Sequence, residues 1–147
     1  MSRFIDRRSS EKGIANGLSV EDLYAYSKNM MFDYIVDDKD ADKLVKTEAL
    51  AKRIIEIENN ERAYNNYLFI LINSGQCERA FKECKKLLKT GDLKYCALKN
   101  LSDKIFFDNG FIDKETYINI LNERLLISKS EMDKKYILSI IDELKDK

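Results

Sequence analysis

Proline is absent from all 147 residues, and glycine occurs only five times. So few breakers favour long uninterrupted helices, because proline clashes with the preceding helical turn and glycine costs about 1 kcal/mol in a helix interior. The apolar spacing agrees. Leu23, Met30, Met31 and Tyr34 recur at helical intervals behind a start signal, in which Ser19 can cap, Asp22 follows three residues on and Leu18 can staple against Leu23. The acidic turn Asp37-Asp38-Lys39-Asp40 suits the N-terminus of a second helix, marked by Leu44, Val45, Ala51, Ile54 and Ile55 and ending near Asn59-Asn60. A third helix, Glu61 to Asn73, is apolar on two faces, Tyr64, Leu68 and Leu71 on one and Ala63, Tyr67 and Ile70 on another, so it belongs inside an assembly. Tyr67 to Ile72 alone also fits a buried strand, but no other stretch offers that strand a partner.

Beyond Gly75, a core stripe of Cys77, Ala80, Phe81, Cys84, Leu87 and Leu88 runs to a stop at Gly91. Leu98, Leu101 and Ile105 carry a fifth helix to Asn109-Gly110, and Asp113 starts a sixth with Tyr117, Leu121 and Leu125. Ser128 with Glu131 makes a capping box for a seventh, striped by Tyr136, Ile137, Ile140, Ile141 and Leu144. The expectation is an all-α fold of about seven helices, arranged as consecutive antiparallel hairpins with a closing C-terminal helix. They form a single domain over residues 18–147, preceded at 1–17 by a flexible basic arm carrying Arg3, Arg7 and Arg8.

The 26 basic and 26 acidic residues cancel, so the chain as a whole does not advertise nucleic acid or anionic membrane. Charge is nevertheless banded: residues 21–60 sum to −4 and residues 61–100 to +4. Three cysteines, an odd number, argue against a secreted disulfide framework. The opening residues Met1 to Arg8 lack the apolar stretch of a signal peptide, and the run Tyr67 to Ile72 is too short to span a bilayer. A soluble cytoplasmic protein is the expectation. The abundance of Lys, Ile, Asn, Asp and Tyr is the bias of an A+T-rich genome, such as that of a low-GC bacterium or its phage.

Residues 61–90 resemble a tetratricopeptide repeat. Tyr64 stands where that family carries an early large aromatic, Gly75 at its turn and Ala80 at the small-residue crossing of its two helices. Later packing positions fall on Cys84, Leu87 and Leu88. The family's leucine-glycine pair is Tyr67-Leu68 here, and its closing proline is missing. Units on either side align only through the turn at Asp40 and through Gly110. The resemblance implies stacked hairpins and a shallow groove, lined by the first helices of successive hairpins, that receives a peptide or partner helix. An irregular helical bundle is the other architecture that fits the pattern.

Two surfaces are candidates for a partner. Tyr24, Tyr26, Tyr34, Tyr64 and Tyr67 would make a tyrosine-rich interface if they face outward, although packing of the first hairpin against the second accounts better for most of them. Arg79, Lys82, Lys86 and Lys89, flanked by Lys85 and followed by Lys94 and Lys99, form a basic stripe opposite the core stripe. It could contact phosphates or an acidic protein, or simply solvate an outer face. Asp38, Asp40 and Asp42 imitate the start of a calcium loop, but Lys43 and Ala49 occupy its essential glycine and glutamate positions. With no histidine and no C-x-x-C pair, Cys77, Cys84 and Cys96 read as small core hydrophobes rather than metal ligands or nucleophiles. No cofactor and no catalysis are expected. The expected role is that of a non-catalytic adaptor or regulator that binds another protein through a helical groove. The alternatives are a nucleic-acid-associated regulator using the basic stripe, or a phage- or plasmid-encoded inhibitor of a host complex; a homodimer is compatible with each.

Overall fold

The computed structural model describes residues 18–38 and 41–146, and every α-helix and π-turn among them continues the all-α reading, with no strand in the described residues. The proposed arm at 1–17 and two residues of the acidic turn, 39 and 40, lie outside the described residues. The chain divides into two compact units, one ending at Gln76 and one beginning at Cys77. That boundary falls inside the 61–90 stretch, so Glu61–Asn73 belongs to the first unit and Cys77–Thr90 to the second.

The first unit contains α1 (Val20–Asp33), a π-helical turn (Tyr34–Asp38), α2 (Ala41–Glu58) and α3 (Glu61–Asn73). Ser19 caps α1 by accepting from the Asp22 amide at 3.2 Å and donating to the Asp22 carboxylate at 2.8 Å. Asn59 takes φ of 45°, a left-handed value that asparagine tolerates, and Asn60 then caps α3 by accepting from the Ala63 amide at 2.9 Å. This short turn folds α3 back on α2, and α1 also packs on α2. Leu23, Tyr24, Tyr26, Met30, Leu50, Ile54 and Ala63 form the shared core, with Leu18 packed at its edge as the staple reading expects. Each such aliphatic side chain withdrawn from water contributes about 1.5–3 kcal/mol before the entropy of ordering it is subtracted.

The second unit holds α4 (Cys77–Thr90), α5 (Lys94–Leu101), α6 (Lys104–Asp108), α7 (Lys114–Ile127) and α8 (Glu131–Lys145). Neighbouring packings join α4 to α5, α5 to α7 and α7 to α8. Ala80 and Cys84 of α4 are fully buried. Phe81 meets Phe106 and Phe111, each at 5.5 Å between ring centroids, and this aromatic cluster anchors α4 to the short α6.

Two sequence-based expectations need correction here. The expected fifth helix is broken at Ser102-Asp103 into α5 and α6. Ser102 turns its hydroxyl onto the Lys99 carbonyl, and Asp103 starts a new helix by accepting from the Ile105 amide, so two short polar side chains interrupt an otherwise helical apolar pattern. The cap of α8 is Ser130, which accepts from the Asp133 amide at 3.2 Å, rather than Ser128. Ser128 is buried and donates to the Asp133 carboxylate instead.

Gly110 ends α6 with φ of 80°, its amide reaching the Phe107 carbonyl and the Phe111 amide reaching the Phe106 carbonyl. The Phe106 and Phe111 rings then meet edge-on at 6.1 Å, the apolar contact that accompanies this type of helix stop. A Cβ at Gly110 would meet nothing within 4 Å, so the cost of Gly110→Ala is purely the left-handed backbone. The expected result is a loss of about 1 kcal/mol in urea denaturation.

Candidate functional site

The first unit carries a groove of about 500 Å³ along α1 and α3. Helical spacing builds both walls. Glu21, Tyr24, Lys28 and Met31 recur at three- and four-residue steps on α1, as do Arg62, Asn66 and Phe69 on α3. Tyr24, Met31 and Ile70 are buried and make an apolar floor, whereas Phe69 keeps 52% of its surface exposed.

At one end of the groove an exposed ion pair joins α1 to α3. Both guanidinium nitrogens Nη1 and Nη2 of Arg62 donate to the two Glu21 carboxylate oxygens, at 2.6 and 2.9 Å. These bonds hold the Glu21 carboxyl below the usual carboxylate range. The Arg62 guanidinium also lies 3.8 Å from the centre of the Tyr24 ring, a cation–π geometry. Burial, reinforced by the nearby Glu58 carboxylate, pushes the Tyr24 phenol well above its ordinary value, so the ring stays neutral beneath Arg62. Asn66 donates to the buried Ser27 hydroxyl at 3.3 Å, adding a second polar tie between the helices. Lys28, by contrast, is exposed and makes no ion pair among the described residues.

The tyrosine-rich face is not what the structure presents. Tyr24, Tyr26 and Tyr67 are buried, and Tyr34 and Tyr64 are half-buried. Large flat rings on the inward faces of α1 and α3 supply the volume that fills the first unit's core. Of the five, only Tyr24 lines the groove. The residues that shape the groove, Glu21, Lys28, Arg62 and Phe69, were not singled out by sequence. A signal existed for Phe69, which belongs to neither of the two apolar faces of its helix and is therefore a large apolar side chain without a place in the core.

The basic stripe lies in the second unit. Arg79, Lys82, Lys85, Lys86, Lys89, Lys94 and Lys99 are all exposed, but the stripe is partly neutralised by its own helix. Lys82 reaches Glu78 at 3.3 Å and Lys86 reaches Glu83 at 3.6 Å, while Lys85 sits 5.3 Å from the centre of the Phe81 ring. Arg79 and Lys99 have partners of their own.

A buried polar cluster also occupies the second unit. Arg124 is 6% exposed and donates to Ser102 at 3.0 Å and to Asp133, which also accepts from Tyr95 and, at 2.7 Å, from Ser128. Burial alone would raise the Asp133 carboxyl, yet the bonds from Tyr95, Ser128 and Arg124 outweigh it and hold the group below its ordinary value. Burial and the facing carboxylate push the Tyr95 phenol up. An ionised carboxylate held by three hydrogen bonds, one of them from a guanidinium, is poorly suited to moving protons. The arrangement is a clamp joining α5, α7 and α8. Sequence reasoning passed over Arg124, although it stands three residues after buried Leu121 and seven after buried Tyr117, on the inward stripe of α7.

A further cleft, of about 470 Å³, lies among α6, α7 and α8, with Phe107 stacked on Tyr117 at 4.9 Å. Lys104 and Lys114 are offset there by Asp108 and Glu143, so its lining has no charge bias. Cys84 and Cys96 are buried and Cys77 half-buried. Burial first, and Cys96 second, push the Cys84 thiol up to about 12, far from a reactive thiolate. Among the described residues no cluster of ligating side chains could hold a metal, and no helix is long and apolar enough to cross a membrane. Comparison with protein-family models, with curated proteins and with solved structures finds no match.

Proposed function

We propose that the chain is a non-catalytic binding protein that engages another protein through the groove along α1 and α3. The supporting observation is the combination at Phe69: a large aromatic side chain, half exposed, on the rim of an apolar-floored groove whose other end is fixed by a bidentate ion pair. Covering the exposed half of a phenylalanine removes on the order of 100 Å² from water, worth about 2.5 kcal/mol. At the polar end Arg62 pairs with Glu21 and lies over the Tyr24 ring, which gives that wall a defined arrangement although both charged side chains are more than half exposed. Alternate helices line the groove while α2 packs against both, which is consistent with the hairpin arrangement that the tetratricopeptide resemblance implies.

Nucleic-acid binding by the α4 stripe has weaker support, because two of its lysines lean on Glu78 and Glu83. The test places a photo-crosslinking phenylalanine analogue at position 69 in the organism's own cells, with a control at Val45, which is 65% exposed on α2 and does not line the groove. A discrete protein adduct from position 69 and none from position 45 is the expected result. Equal adducts from both positions, or none from position 69, reject the reading.

A further inference from the structure

We infer that the cleft among α6, α7 and α8 is a small-molecule site that takes a neutral planar aromatic compound carrying a hydrogen-bond acceptor. It lies wholly in the second unit and does not depend on the groove along α1 and α3. Its make-up is that of a small-ligand pocket, about 470 Å³ walled by aromatic and aliphatic side chains with few polar groups. Phe107 of α6 and Tyr117 of α7 stack at 4.9 Å with their planes 22° apart. Tyr136 of α8, 57% exposed, and Ile140 continue the apolar walls. Flat side-chain rings favour a flat ligand, which gains offset-stacked or edge-on contact with them.

The polar contact comes from Tyr117. Only 2% of that residue is exposed, yet it lines the cleft, and its hydroxyl makes no hydrogen bond among the described residues. Buried hydroxyls nearly always have a partner, so an unpaired one bordering a cavity marks a place for an acceptor. Burial first, then Tyr136, Asp103 and Asp108, push this phenol up to about 12 against the opposing effect of Arg124, so it keeps its proton to donate. Ser139, also on the lining, already donates to the Tyr136 carbonyl at 2.7 Å. Charge does not direct an ion to the cleft. Lys104 and Asp108 are exposed and opposite in sign, and Lys114 and Glu143 have partners of their own. Arg124, 5.8 Å from the centre of the Tyr136 ring, is paired with Asp133. A charged ligand would gain from one rim group what it loses to the other, which leaves recognition to the rings and the Tyr117 hydroxyl.

The experiment titrates the isotopically labelled full chain at neutral pH with three uncharged probes. Quinoline has two fused aromatic rings and an acceptor nitrogen, naphthalene has the same rings without the nitrogen, and cyclohexanone has an acceptor without an aromatic ring. Quinoline should bind most tightly and shift the backbone amides from Phe107 to Tyr117 and from Tyr136 to Leu144. Tyr117→Phe should weaken quinoline about three- to tenfold, the worth of one neutral hydrogen bond, and leave naphthalene unchanged. Ser139→Phe, at an exposed position on the wall, should weaken both by filling the cleft. Equal affinity of wild type and Tyr117→Phe for quinoline overturns the inference, as does preference for naphthalene or cyclohexanone, or the absence of shifts at the cleft. The ranking of the three probes on wild type decides by itself should a variant fail to fold.

Discussion

Replacing Asp133 with alanine is expected to cost about 3–5 kcal/mol of the second unit's stability, because it leaves the buried Arg124 guanidinium without a counter-charge. The same change strips the acceptor from Tyr95 and Ser128. Urea denaturation followed by circular dichroism measures the loss. The double variant Arg124→Met with Asp133→Leu should recover most of it, since a well-packed apolar pair can replace a buried ion pair at little cost. The pH dependence has a definite sign. Asp133 has a lower pKa folded than unfolded, so its contribution is complete above the unfolded value, about 3.9, and is lost as pH falls through the native value. Wild type and Asp133→Ala should therefore converge in stability in strong acid and diverge on the way to neutrality. A constant gap across that range would mean that the clamp acts through packing alone.

The second large effect is expected at Phe69. A charged side chain there puts a carboxylate where a partner's apolar anchor must sit, and hot-spot positions of this kind typically cost at least about 2 kcal/mol, roughly thirtyfold in affinity. Phe69→Asp should impose that loss on the partner trapped at position 69 while leaving the folded helix content unchanged, because the ring is half exposed. Val45→Asp, at an exposed site on α2, should bind as wild type does. Isothermal titration against the trapped partner decides, and equal losses from the two variants would show that binding does not use the groove.

Local start and stop signals were largely legible in the sequence. Ser19 and Asp113 cap the helices they were expected to cap, and Gly75 and Gly110 adopt the left-handed backbone that ends a helix. Such signals involve residues three or four apart, so the chain carries them without help from tertiary contacts. Where side chains report to distant partners, the pattern misled. Ser128 looks like a cap but belongs to Asp133 and the Arg124 clamp, and Ser102 breaks a helix whose apolar spacing runs straight through it. The tyrosines were ambiguous for a related reason: an amphipathic ring suits an interface or a core, and only burial distinguishes them. The residues that line the groove were not legible in the sequence. Glu21 and Arg62 are 41 positions apart, and nothing short of the fold pairs them.

The most direct test of the groove is a titration of the isotopically labelled chain with the partner trapped at position 69, followed through backbone amide chemical shifts. Shifts concentrated between Glu21 and Phe32 and between Arg62 and Ile70 are the predicted outcome. Perturbations centred instead on the exposed lysines of α4, or on the turn between α7 and α8, would contradict it.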